Sequence, residues 1–252
     1  MALTDKLTAI GDAIREKTGG TAKLSLDQMV DEIGVIPSGG GYDTTQEDAF
    51  IQGTTVDYVN DRVTELTSYA FANRDYPKTV TLPNVITLQG YVFRGNTGLE
   101  SINLPSLTSQ NGVGNFYDCT SLRSVSLPKL INGSVSFTGC TVLKDVDLSS
   151  LIVIGSGPFS DCAAITKLEF PSLQTFNSGG IKNTVSLRTL ILSGETVVKM
   201  FSTDAFENTP IANGTGYVYV PDNLVEDYKV ATNWATYADQ IKPLSEYVEV
   251  TE

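Results

Sequence analysis

Three cysteines and a pair of closely spaced carboxylates carry most of the chemistry this 252-residue chain could perform. Cys119, Cys140 and Cys162 recur at intervals of 21 and 22 residues. Thiols gathered at one site could hold a metal ion or cycle through a disulfide. The chain contains no histidine, so the commonest general base and the commonest metal ligand are both missing. It also lacks a Cys-x-x-Cys pair. The even spacing instead places the three cysteines in one slot of a repeated unit. Stacked strands lie about 4.8 Å apart, so in-register side chains keep their Cβ atoms at about that separation, slightly too far for a disulfide. The expectation is a buried ladder of reduced thiols in a small, half-polar slot that also accepts Asn96; a metal or redox site is the alternative. Asp145 and Asp147 stand two apart on one face of a strand and could bind a cation or act as acid and base. The alternative for them is a solvated face. No Gly-x-Ser-x-Gly elbow and no phosphate loop ending in Gly-Lys-Ser/Thr is present. No cofactor is expected, and the chain reads as a non-enzyme.

The elements that position these residues follow from a repeat. The run from Phe93 to Leu107 and the run from Phe116 to Leu130 share the template F-x-x-C/N-x-x-L-x-x-L-x-L-P-x-L. It returns at Phe137 to Leu151 and Phe159 to Leu173, and more weakly from Phe71 and Ile181. The first anchors, Phe71, Phe93, Phe116, Phe137, Phe159 and Ile181, are spaced 22, 23, 21, 22 and 22. A second anchor set, Leu82, Leu104, Leu127, Leu148, Phe170 and Leu192, keeps those spacings. A period in the twenties containing L-x-x-L-x-L predicts a leucine-rich-repeat solenoid, in which stacked coils bury the apolar side that one coil cannot bury alone. Pro83, Pro105, Pro128 and Pro171 follow the strand and end its ladder. The predicted fold is an α+β repeat solenoid: a right-handed stack of about six coils of about 22 residues, with an N-terminal helical pair and a C-terminal strand-helix cap.

Strand alternation then selects the outward residues. One column is Thr79, Ser101, Ser124, Asp145, Lys167 and Thr189; beside it run Thr81, Asn103, Ser126, Asp147, Glu169 and Ile191. These short polar side chains, with acids at the centre, suit hydrogen bonding to a glycan or to a polar protein patch. The expected ligand contacts are Ser101, Asn103, Ser124, Ser126, Asp145, Asp147, Lys167 and Glu169; a bare, solvated sheet face is the alternative.

Along the chain, residues 1–36 read as two short helices. Thr4 can cap the first, Gly19-Gly20 stops it, and Ser25 to Gln28 forms a capping box for the second. Residues 37–43 are a Gly-rich linker, so residues 1–36 are expected to act as a docking module that packs on another chain; a plain helical cap on the solenoid is the alternative. The solenoid is expected over 44–211 and the cap over 212–252. In the cap, Tyr217 to Val220 reads as a final strand, Asp222 as the cap of a helix over 223–231, and the aromatic cluster around Trp234 as the seal of the core. A sugar-binding aromatic platform is the alternative for that cluster. The net charge of −12 should repel nucleic acid and anionic membranes. No apolar run is long enough to span a membrane. The opening Met1-Ala-Leu-Thr-Asp-Lys lacks the basic and apolar segments of a secretory signal, so synthesis in the cytoplasm without Sec export is expected.

The template, most closely at Phe116 to Leu130 and Phe137 to Leu151, resembles the BspA-like class of bacterial leucine-rich repeats. Leu7 to Gly19 with Gln28 to Ile33 is similar to the N-terminal module of prophage structural proteins of Firmicutes. Tyr219 to Trp234 with Ile241 to Leu244 is similar to a C-terminal cap seen with such repeats. The resemblance implies recognition by a surface adhesin or a virion tail component, binding a host-surface glycan or protein, with no catalysis. An intracellular interaction scaffold is a further alternative. Ser149 in place of the strand-ending proline, and Thr184 and Ser193-Gly194 in the sixth repeat, depart from the pattern and bear on local coil shape.

Overall fold

The computed structural model describes residues 57–132 and 136–249. The expected helical pair of residues 1–36, the linker of 37–43 and the start of the first coil lie outside the described residues. Most coils contribute a three-residue strand and then a two-residue one. In chain order these are β1 (Asp57–Val59) and β2 (Glu65–Leu66), β3 (Thr79–Thr81) and β4 (Thr87–Leu88), β5 (Ser101–Asn103) and β6 (Ser109–Gln110), and β7 (Ser124–Ser126). They continue with β8 (Asp145–Asp147) and β9 (Val153–Ile154), β10 (Lys167–Glu169) and β11 (Thr175–Phe176), and β12 (Thr189–Ile191) and β13 (Lys199–Met200). Every pairing is parallel and joins one coil to the next. The longer strands stack as β1-β3-β5-β7-β8 and, after a break, as β10-β12-β14-β15, where β14 is Tyr217–Val220 and β15 is Ile241–Pro243. The shorter strands form a second face, β2-β4-β6 and β9-β11-β13. Parallel-strand repeats of this kind make a solenoid.

The template residues explain the coil. In Leu99-x-x-Ile102-x-Leu104 all three apolar side chains are buried, while Ser101 and Asn103 alternate outward. The Leu-Pro-x-Leu turn that follows closes with a backbone bond from the second leucine to the first, as from Leu107 N–H to Leu104 O at 3.1 Å. Ser149, which replaces a proline, keeps that turn (Leu151 N–H to Leu148 O, 2.9 Å), and its freed N–H donates to Asp147 Oδ1 at 3.2 Å.

The phenylalanine anchors fill the other side of the core. Phe71, Phe93, Phe116, Phe137 and Phe159 are fully buried and stack in one file, with successive ring centroids 4.9, 5.4, 5.2 and 5.4 Å apart. That separation is close to the ~4.8 Å spacing of neighbouring strands, so in-register coils bring offset-stacked rings together without adjustment. The turns holding Phe71, Phe93, Phe116 and Phe159 each place two residues at positive φ. The one two places after the anchor is Asn73, Gly95, Asp118, Gly139, Asp161, Asn183 or Asn208, all types that tolerate the left-handed region. The one two places before is Gly114, Gly157 or Gly179 in later coils, but Tyr69 and Tyr91 in the first two. A side chain bearing a Cβ costs about 1–2 kcal/mol in that conformation.

The cysteine slot has a structural explanation. Each phenylalanine carbonyl has two lone pairs. Phe93 O accepts the Asn96 N–H of its own coil at 3.0 Å and the Cys119 thiol of the next at 3.0 Å. Phe116 O takes the Cys119 N–H at 3.3 Å and the Cys140 thiol at 3.0 Å. Phe137 O takes the Cys140 N–H at 2.9 Å and the Cys162 thiol at 3.1 Å. Asn96 fills the slot one coil earlier, its Nδ2 donating to Phe71 O at 3.1 Å. Thr184, too short to cross, bonds instead to Ile181 O within its own coil. All three thiols are buried and unbridged. Burial pushes the Cys140 thiol well up and the Cys162 thiol up to about 12.

The C-terminal residues close the stack where β13 leaves backbone groups facing outward. Tyr228 Oη accepts the Val198 N–H at 3.0 Å, Trp234 Nε1 donates to Val198 O at 2.7 Å, and Asn233 Nδ2 donates to Met200 O at 2.8 Å. Tyr237 Oη bonds to Thr203 O. Trp234 and Tyr228 are fully buried, so this aromatic cluster belongs to the core and offers no platform. Two details differ from expectation. The last strand is β15, which pairs with β14 rather than leaving it at the edge. The helix α1 spans only Val225–Val230, preceded by a 3₁₀ turn at Asp222–Leu224, and Asp222 does not cap it. Its Oδ1 accepts the Ser245 N–H at 3.1 Å and so ties down the C-terminal segment instead.

Two outcomes are expected. Phe116→Ala should lower the unfolding free energy by about 3–5 kcal/mol in a urea titration, since the cavity opens in the middle of the ring file. The thiols should resist an aromatic disulfide reagent until the protein unfolds. Because their folded pKa values are raised, Cys140 and Cys162 contribute stability in full below the unfolded thiol range. For Cys162 that contribution is lost as pH rises from about 9 towards 12, and the Cys140 contribution is lost in the same direction. The double variant Cys140→Ser/Cys162→Ser should show a shallower alkaline loss of stability than the parent; equal slopes would count against the ladder.

Candidate ligand-binding face

The strand ladder places the polar columns in register. Ser101 pairs with Ser124 and Ser124 with Asp145; Asn103 pairs with Ser126 and Ser126 with Asp147. Ser126 Oγ donates to Asp147 Oδ2 at 3.4 Å. Across the break, Lys167 pairs with Thr189 and Glu169 with Ile191. All eight residues expected as ligand contacts line one open groove of about 1050 Å³ on this face.

The ladder breaks between β8 and β10, in the middle of the groove. The template sets Asp147 against Glu169 there, and like charges facing one another across a ladder destabilise it. The inward position beside the break is less covered than its neighbours. Val125 and Leu168 are buried, but Val146 between them is half-exposed and reaches the groove. Ile102 and Val125 also line the groove, and Val146, the most exposed of the three, lies between its two aspartates.

Lys167 sits at the far wall. Its Nζ lies 2.8 Å from Glu249 Oε1 and 3.8 Å from Glu169 Oε2, and 5.2 Å from the centre of the Tyr247 ring. The hydrogen bond to Glu249, ahead of smaller contributions from Tyr247, holds this ammonium above its ordinary pKa. Residues 247–249 thus lie across the C-terminal end of the groove, and Tyr247 packs on Tyr219 at 5.1 Å. The outward position expected for Ile191 is corrected: it is buried, flanked in register by Glu169 and by Tyr219.

Sequence reading missed part of the site. Lys144, Thr166 and Arg188 also line the groove. They occupy the place before each strand, and with Lys78, Glu100 and Arg123 form a third column on the repeat spacing. That spacing was the available signal. Lys78 and Glu100 already pair across one step of it, at 2.9 Å. Tyr247 and Glu249 carry no such periodic signal, because the fold of the C-terminal segment brings them in. The cysteines take no part in this face. Among the described residues no cluster of cysteine and carboxylate side chains is arranged to hold a metal ion, and no helix is long and apolar enough to cross a membrane.

Comparison with known proteins agrees with this architecture. The solenoid is similar in structure to a leucine-rich repeat protein of T. pallidum, with 27% identity, a TM-score of 0.50, and coverage of 56% of this chain and 73% of that one. It is also similar to a leucine-rich repeat protein of Bacteroides ovatus, with 23% identity, a TM-score of 0.52, and coverage of 75% and 54%. A leucine-rich cell surface protein of Faecalibacterium prausnitzii matches at 21% identity and a TM-score of 0.47, over 72% and 50%. The chain spans about half the length of the last two. No curated protein matches it. The model of the BspA type leucine rich repeat region matches residues 47–133 and 131–224 with six copies. That match covers most of the chain, the buried repeat anchors lie within it, and the protein therefore belongs to the BspA-type leucine-rich repeat family.

Proposed function

We propose that this protein is a non-enzymatic recognition protein that binds a host-surface ligand through the groove on its longer-strand face. The observation that carries the reading is the convergence of three polar columns on one groove whose backbone is held by parallel pairing on either side of one break. Such a face presents fixed donors and acceptors at a regular spacing, as binding surfaces of repeat proteins do. Lys144, Lys167 and Arg188 beside Asp145, Asp147 and Glu169 give it both signs of charge. That composition suits a polar glycan or a polar protein patch and would discriminate by charge placement rather than by apolar area.

In this proposal the protein is a phage or prophage virion component of the tail-tip or fibre type, and residues 1–36 join it to the particle or to further copies of itself. The support is the likeness of Leu7 to Gly19 and Gln28 to Ile33 to prophage structural proteins. A bacterial cell-surface adhesin would use the same groove and differ in where the protein resides.

Two measurements test the proposal. Asp145→Asn/Asp147→Asn should reduce binding of the full chain to cells of the bacterium carrying the gene by at least about tenfold, the usual reach of two lost charge contacts; unchanged binding would move the site elsewhere. Mass spectrometry of particles induced from that bacterium should find the chain in the particle fraction. Finding it only in the cell envelope would favour the adhesin.

A further inference from the structure

A second feature stands apart from the strand face, on the turns that carry the phenylalanine file. Tyr69 and Tyr91 hold the left-handed conformation at the slot where three later coils place glycine. Their rings stack at 5.4 Å and 12°, and Tyr69 is 52% exposed. The next coil leaves room for this. A Cβ on Gly114 would fall 2.7 Å from Tyr91 Cε1, so the Tyr91 ring rests on a residue without a side chain. Arg94 lies over Tyr91 at 5.5 Å and over Tyr117 at 5.8 Å, and Tyr117 is 37% exposed. In a chain of net charge −12, this guanidinium has no carboxylate within ion-pair distance among the described residues. An open groove of about 660 Å³ is lined by Tyr91, Arg94 and Tyr117 together with Ser156 and Asn177. That volume falls within the range of about 300–1,000 Å³ typical of small-ligand sites. It shares no lining residue with the strand-face groove.

We infer that this tyrosine–arginine cluster is a second binding site, and that it takes a carboxylated sugar residue at the end or in the body of a glycan. A sugar ring offers C–H faces that pack on exposed tyrosine, here Tyr117, and hydroxyls that reach Ser156 and Asn177. Its carboxylate supplies the anion that Arg94 lacks, in the planar geometry a guanidinium pairs best. The overall acidity of the chain decides against a densely sulfated polymer, which long-range repulsion would keep away, and favours a sugar with isolated carboxylates. The conformational cost of two left-handed tyrosines is met where a ligand surface needs them. The inference rests on the recognition reading but assigns a different surface.

The test uses the full chain on a glycan array, followed by calorimetric titration with sialyllactose and a galacturonate trisaccharide against their neutral counterparts, lactose and a galactose trisaccharide. The parent should bind at least one carboxylated glycan and prefer it to its neutral counterpart. Tyr117→Ala should weaken that binding at least tenfold, and Arg94→Gln should abolish the preference for the carboxylate. Tyr91→Gly restores the residue type found in the later coils, so it should bind at least tenfold more weakly with a Tm within about 4 °C of the parent. Unchanged binding by these variants, or no carboxylated glycan bound at millimolar concentration, would overturn the inference. Loss of glycan binding in Asp145→Asn/Asp147→Asn alone would also overturn it, while leaving the strand-face reading intact.

Discussion

Every layer of this protein depends on one constraint: successive coils must stay in register at a single strand spacing. Backbone pairing sets that spacing, and every other repeated contact adopts it. The phenylalanine rings stack at 4.9 to 5.4 Å because the coils do. The cysteine thiols reach the preceding coil's phenylalanine carbonyl because that carbonyl always lies one step below. The same register aligns the polar side chains of the strand face into columns. Core and surface are therefore two readings of one translation, and a shift that spoiled one would spoil the other.

The core was legible in the sequence because apolar anchors at fixed spacing can only be stacked one way. Phe93, Leu99, Ile102 and Leu104 sit where the template puts them, and the thiols are buried and reduced. The strand columns were legible for the same reason, down to the register of Ser101, Ser124 and Asp145. What escaped was whatever breaks the translation. The gap between β8 and β10 lies between neighbouring coils, where a template read one coil at a time shows nothing. The burial of Ile191 and the arrival of Tyr247 and Glu249 depend on how the C-terminal segment folds back. Asp222 has the right type and place for a helix cap, yet a backbone N–H more than twenty residues later competes for it and wins.

The departures from perfect repetition are where the molecule acquires individuality. A flawless stack would offer a uniform face and would bind little with discrimination. Here the strand ladder opens at Val146 beside its acids, and two tyrosines occupy glycine slots on another side. Both tyrosines still donate their backbone N–H to the next coil, Tyr69 to Gly90 O at 3.3 Å and Tyr91 to Val113 O at 3.0 Å, so the departure leaves the register intact. The regular core stabilises the fold, and local irregularity shapes the surface it presents.

The closing contacts at the C-terminal end have a consequence for how such a protein can change over generations. The hydrogen bonds of Trp234, Tyr228 and Asn233 reach main-chain atoms of the last coil: Val198 O, Val198 N–H and Met200 O. Main-chain atoms are the same in every coil, whatever its side chains. A duplication or deletion of one whole repeat upstream would present the lid with an equivalent seat. Length can thus vary in units of one coil while the lid's polar contacts stay the same, so lineages are free to extend or shorten the strand face by copying errors.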